Sequence, residues 1–173
     1  MTAPAVTLPQ GDLRLLETDV AQRLLHGKEL ARLAYVAADG TPRVLPVMFH
    51  WNGEQIVVSS FAGALKNNAI RARPAVAFTI DTNSHPPEIL LIRGLAEVTD
   101  VDGVTEEFKL ANYRYGGPEF GASRIAEVDH PGTRMARIAV RPSWVGVIDF
   151  KTRFTGGRTA EEFLQRGRDG RPS

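Results

Sequence analysis

Cysteine is absent from the 173 residues, which excludes disulfides, iron–sulfur clusters, thiolate zinc sites and a thiol nucleophile together. Long apolar runs are lacking as well. Pieces such as Ile89 to Ile92 fall far below the roughly 18 residues that would suggest a membrane span. A net charge of only +1 gives no global attraction for nucleic acid. Neither a membrane nor a nucleic-acid partner is therefore expected. Met1 to Gln10 shows no basic segment leading into an apolar core, so no secretory signal is read and a cytoplasmic location is expected. His26, His50, His85 and His130 have no i,i+4 pairing and no carboxylate at ligand spacing, so no metal site is expected. No G-x-S-x-G segment occurs, and no catalytic side chain is assigned.

What remains is an ordinary globular composition, 43% hydrophobic and 24% charged, at a length that buries one core. A first helix is expected to start at Asp19 as its N-cap, with Gln22 three positions on and Val20, Leu24 and Leu25 on one face. Strands follow over Leu33 to Ala38, Val44 to Trp51 and Gln55 to Ser60. Asp39-Gly40 and Asn52-Gly53 turn between them, because both dipeptides tolerate positive φ. Ala64 to Ala72 reads as a crossover helix, Ala75 to Ile80 as a strand, and Ile89 to Val98 as a longer strand in which Gly94 marks a bulge or a close approach. Asp102 is expected to cap a helix carrying Val104, Phe108, Ala111 and Tyr115 on one face, with Glu106 and Glu107 in its first turn and a glycine cap after Tyr115. Gly116 to His130 reads as an irregular connection, with one helical turn near Ser123 to Val128. Met135 to Val140 and Val145 to Ile148 supply the last strands, interrupted by Pro142, and a flexible tail is expected from about Thr155. Such a set of about six short antiparallel strands with few helices points to a mainly β protein closed into a barrel, since closure removes exposed edges. So small a barrel has no wide interior, which places any ligand in an outer groove completed by a second subunit.

Chemistry concentrates where Ser59, Ser60, Phe61, Ala62 and Gly63 leave a strand and enter the helix holding Lys66, Asn67 and Asn68. Free N–H groups at a helix start, one full positive charge, two hydroxyls and amide donors within one turn would seat a phosphate. An ordinary strand-to-helix connection with a solvated Lys66 remains the alternative. Nearby, Pro42-Arg43-Val44-Leu45-Pro46-Val47 carries a proline in mid-strand. That frees backbone groups around Pro46 and Val47 for the edge of a flat heterocycle, or marks a corner of the barrel.

These segments in order, from Leu33-Ala34-Tyr35-Val36 through Pro42 to Val47, Ile56-Val57-Val58-Ser59-Ser60, Leu65-Lys66 and Ile70-Arg71-Ala72-Arg73-Pro74-Ala75-Val76, resemble the pyridoxamine 5'-phosphate oxidase-like family of flavin-binding split β-barrel proteins. The likeness covers roughly Asp19 to Val98. It implies a flavin-binding domain over residues 19–150, between an N-terminal extension (1–18) and a tail (151–173). It further implies a homodimer with FMN, or alternatively the deazaflavin coenzyme F-420, at the subunit interface, acting on a small-molecule substrate. A non-catalytic flavin or haem binding module is the alternative of another class. The resemblance assigns Lys66, with Asn67 beside it, and Ser59 and Ser60 to the phosphate and ribityl chain, Pro46 and Val47 to the ring, and Arg43 to the cofactor. Trp144, Phe150 and Arg153 fall where such chains reach a partner's site. Leu65 stands where the oxidases carry arginine, and Asn68-Ala69 where many deazaflavin users carry Arg-Asn. Arg71 or Arg73 could replace those cations, although helical spacing brings only one of them near Lys66. His50, beside Trp51 at a strand end, is read as exposed rather than substrate-binding.

Overall fold

A computed structural model describes residues 8–154 and 164–165. The expected tail from Thr155 therefore lies outside the described residues except at those two positions. Strands β1 (Ala31–Val36), β2 (Pro42–Val47), β3 (His50–Trp51), β4 (Ile56–Phe61), β5 (Ala75–Asp81), β6 (Ile89–Asp102) and β7 (Arg134–Ile148) alternate with helices α1 (Asp19–His26), α2 (Leu65–Ala72) and α3 (Glu106–Val128). No helix among the described residues is long and apolar enough to cross a membrane.

The expectation of a mainly β closed barrel is corrected. The seven strands form one antiparallel sheet in the order β2-β1-β5-β6-β7-β4-β3, with β2 and β3 as its two edges and no ladder between them. Helix takes 31% and strand 38%, so the class is mixed α/β. The reason lies in the segment expected as one strand from Val44 to Trp51. At Met48 and Phe49 the chain leaves the β1 edge and crosses to β4, so two stretches adjacent in sequence end at opposite edges of the sheet.

Local chemistry explains most turns. Asp39 accepts from the Thr41 amide (3.0 Å) and hydroxyl (2.6 Å) while Gly40 takes φ +80°, and Asn52 accepts from the amides of Glu54 and Gln55 while Gly53 takes φ +97°. Helix α1 is capped by Thr18 rather than Asp19 and buries Ala21, Leu24 and Leu25 against the sheet's core of Leu33, Phe78, Ile80, Leu90 and Ile92. The β6–β7 ladder shifts register between Arg93 and Gly94, where Gly94 faces Pro142. A proline has no N–H to give there, and the bulge lets β7 run unbroken past it. The residue expected as a cap, Asp102, ends β6, and Thr105 caps α3 instead. Beyond Gly117 (φ +82°), where a break was expected, Pro118 restarts the helix, so the stretch to Val128 is helical and not irregular. Gly116 and Gly121 allow the two halves to pack, because a Cβ at either would strike Phe120 or Tyr113.

Candidate functional site

The turn from β4 into α2 is built by its own side chains. Asn67 is fully buried and its amide donates to the carbonyls of Phe61 (2.9 Å) and Ala62 (3.2 Å), which fixes the turn. One residue earlier, Lys66 reaches back and its Nζ donates to Ser60 Oγ at 2.7 Å. Ser60 is buried, while Lys66 is half-buried and has no carboxylate partner among the described residues. Burial alone pushes the Lys66 ammonium below its ordinary pKa.

Lys66 opens into a cleft of about 180 Å³. One wall is the Leu45–Phe49 stretch, which includes Pro46 and Val47, and the floor is Val57, Val58 and Ser59 of β4. Glu107, Phe108 and Ala111 of α3 form the opposite wall, at helical spacings that put them on one face. Ser59 Oγ lies 2.6 Å from the Thr105 hydroxyl, tying β4 to the start of α3. Glu107 is held by Arg137, whose Nε donates to it at 2.7 Å, so the carboxylate in the wall is neutralised by a cation other than Lys66.

Of the residues named from sequence, Pro46, Val47, Ser59 and Lys66 line this one cleft, with Ser60 and Asn67 directly behind it. Arg43 does not reach it. It pairs with Asp39 at 2.9 Å beside a second hollow that also touches Leu65, Asn68 and Arg73. Arg71 is engaged by Asp100, and Arg73 extends toward the Ala38 carbonyl at 3.4 Å. Trp144 lies on β7 under the Arg93 guanidinium, 4.0 Å from its ring centre, and against Gly11 and Gly146. Phe150 packs on Phe154, and Arg153 donates to the Leu8 carbonyl. His50 is half-buried, its imidazole pushed below the ordinary range by burial and then by the Arg114 charge. Sequence reasoning missed the α3 wall. Glu107 looked like a residue serving the helix dipole and Phe108 and Ala111 like ordinary core, and no local signal says which surface that face covers.

No family model matches the chain, and neither does any curated protein. Among solved structures, an F-420 reductase is 31% identical, with 72% of this chain and 94% of that one covered at a TM-score of 0.56. General stress protein 26 from Bacillus anthracis is 19% identical over 79% of this chain and 95% of its own, with a TM-score of 0.56. A pyridoxamine 5'-phosphate oxidase-related, FMN binding protein from Nostoc punctiforme is 15% identical over 80% and 86%, also at 0.56. The latter two likenesses extend to fold alone.

Proposed function

We propose that this chain, which belongs to the pyridoxamine 5'-phosphate oxidase-like flavin-binding superfamily, is an oxidoreductase that holds a flavin-type cofactor in the cleft beside Lys66. One observation carries the reading: a half-buried ammonium whose hydrogen bond among the described residues goes to a neutral hydroxyl, in a cleft lined mostly by apolar side chains whose one carboxylate, Glu107, is paired with Arg137. A partly buried charge without a counter-charge is costly, and an anionic ligand group would relieve that cost. The residues therefore fit a phosphate-bearing cofactor. Lys66 and the Ser59 hydroxyl would hold the charged end, with Ser60 orienting Lys66 from behind, and the Leu45–Phe49 wall would lie along a flat ring. The likeness above 30% to an F-420 reductase ranks the deazaflavin ahead of FMN. Either cofactor would supply the hydride, leaving the chain to bind, orient and exclude water.

A cleft of 180 Å³ is smaller than the roughly 300 Å³ at which ligand pockets begin. One chain thus offers only part of a seat for such a cofactor, which supports a site completed by a second copy. Val44 (67% exposed), Leu95 (68%) and Leu65 (89%) are apolar side chains that a second copy would cover. The test is titration of the purified protein with F-420 and with FMN, followed by cofactor fluorescence, beside a mass from light scattering. A dimer that binds F-420 tightly and turns over its reduced form is expected, with affinity reduced in Trp144→Ala. Failure to bind either cofactor sinks the reading, and a monomer that binds one of them sinks the shared site.

A further inference from the structure

The chain crosses from one edge of the sheet to the other at Met48 and Phe49, and backbone in such a crossing has no strand neighbour to satisfy its carbonyls. Arg114 meets that need from α3. Its Nη2 donates to the Phe49 carbonyl, its Nη1 donates to the Leu25 carbonyl at 2.8 Å, and Nη2 also lies 3.0 Å from the Tyr115 hydroxyl. The Tyr115 hydroxyl in turn donates to the Glu29 carbonyl at 3.0 Å. The guanidinium stacks on the Phe49 ring (4.5 Å to its centre) and on the Tyr115 ring (4.7 Å), and those two rings meet edge to face. Leu25 is in the last turn of α1, where carbonyls lack intrahelical partners, so one cation serves a helix end and the crossing together. Arg114 has no ion pair among the described residues; its two Nη groups go to backbone carbonyls and the Tyr115 hydroxyl, while its buried Nε is left without a hydrogen-bond partner.

Phe49 and Met48 are also wall residues of the Lys66 cleft, and Arg114 follows Glu107 and Ala111 of the opposite wall at i+7 and i+3. We infer that Arg114 is a positioning residue. By clamping the Phe49 carbonyl to α3 and to the end of α1, it sets the separation of the cleft's two walls and takes the place of the ladder that the open sheet lacks between β2 and β3. Its bearing on cofactor affinity rests on the function proposed above, but the clamp itself does not.

The experiment compares Arg114→Met and Arg114→Lys with the wild-type full-length chain in two measurements. Native-state hydrogen exchange reads the amides of residues 45–51 against those of β5 and β6, and cofactor titration is run well below the melting temperature. Arg114→Met is expected to raise exchange across 45–51 at least tenfold with β5 and β6 unchanged, and to raise the F-420 dissociation constant at least tenfold. Arg114→Lys, which can donate to the Phe49 carbonyl but not bridge to Leu25 with the same planar fork, should fall between. Should Arg114→Met not fold, Tyr115→Phe removes only one hydroxyl and is expected to raise local exchange severalfold. Exchange that is unchanged at 45–51, or that rises equally everywhere, overturns the clamp. Local exchange that rises with cofactor affinity unchanged overturns the positioning role. Wild-type protein that binds no cofactor defeats the proposed function, and the exchange data still decide the clamp.

Discussion

Lys66 Nζ donates to Ser60 Oγ at 2.7 Å, so the first turn of α2 is docked onto the end of the strand that precedes it. Six residues separate the two groups, and the buried Asn67 amide holds the intervening carbonyls of Phe61 and Ala62. An ammonium held in this way is pre-oriented for a ligand anion and loses little freedom on binding it.

Replacing Lys66 with alanine is accordingly expected to weaken F-420 or FMN binding by about 1.5–3 kcal/mol, roughly ten- to 150-fold. Cofactor fluorescence titration measures the loss, and an unchanged dissociation constant would contradict the phosphate role. The Lys66 pKa is lowered in the folded state, so the unfolded chain binds more protons between that value and 10.5. Its burial penalty is present in full below the lowered pKa and is relieved as pH rises through it. Lys66→Met should therefore leave stability at neutral pH unchanged or raise it, as read by urea denaturation.

Gly94 sits at the register shift facing β7, where an added Cβ would lie 2.5 Å from the Arg141 carbonyl oxygen and 2.7 Å from Val140 Cγ1. Neither neighbour can yield easily, since one is backbone in the sheet and the other is a buried side chain. Gly94→Ala is expected to cost about 1–3 kcal/mol, the range for forced overpacking. A variant that melts with the wild type would show that the β6–β7 ladder is looser than its geometry indicates.

Asp149 should make stability depend on acid. Partial burial pushes its carboxyl up, but the Thr152 hydroxyl and the amides of Lys151, Arg153 and Thr152 together outweigh this and hold it at about 2. Its contribution is present above the unfolded value of 3.8 and is lost as pH falls through about 2. Asp149→Ala is expected to lose about 1–2 kcal/mol at neutral pH. The gap between the variant and the wild type should close between about pH 4 and pH 2 in acid denaturation curves.

His50 is pushed below 6.5 by burial first and then by the Arg114 charge; Glu107 opposes this, and His26 (downward) and Glu106 (upward) act more weakly. Its NMR titration midpoint is expected below 6.5 and should move up in Arg114→Met. Because the folded pKa is depressed, the unfolded chain takes up more protons in that window, and stability declines as pH falls from 6.5 through the lowered value. A midpoint at or above 6.5 would show His50 to be more solvated than the structure places it, or farther from Arg114.

Short-range features were legible in the sequence because their physics is local. Asp39-Gly40 and Asn52-Gly53 turn where positive φ is cheap and a side chain can accept from the backbone two residues on. The Ser60–Asn67 turn brings its polar groups together through contacts no more than six residues apart. Tertiary structure alone decided the rest. Whether seven strands close or stay open depends on which edge each takes after Met48 and Phe49, and period-two alternation is the same in both outcomes. Glu107 became a cleft wall only because α3 lies across β4. Arg114 grips carbonyls 65 and 89 residues away. Contacts of that range are set by global packing, on which the composition of a helix gives no information.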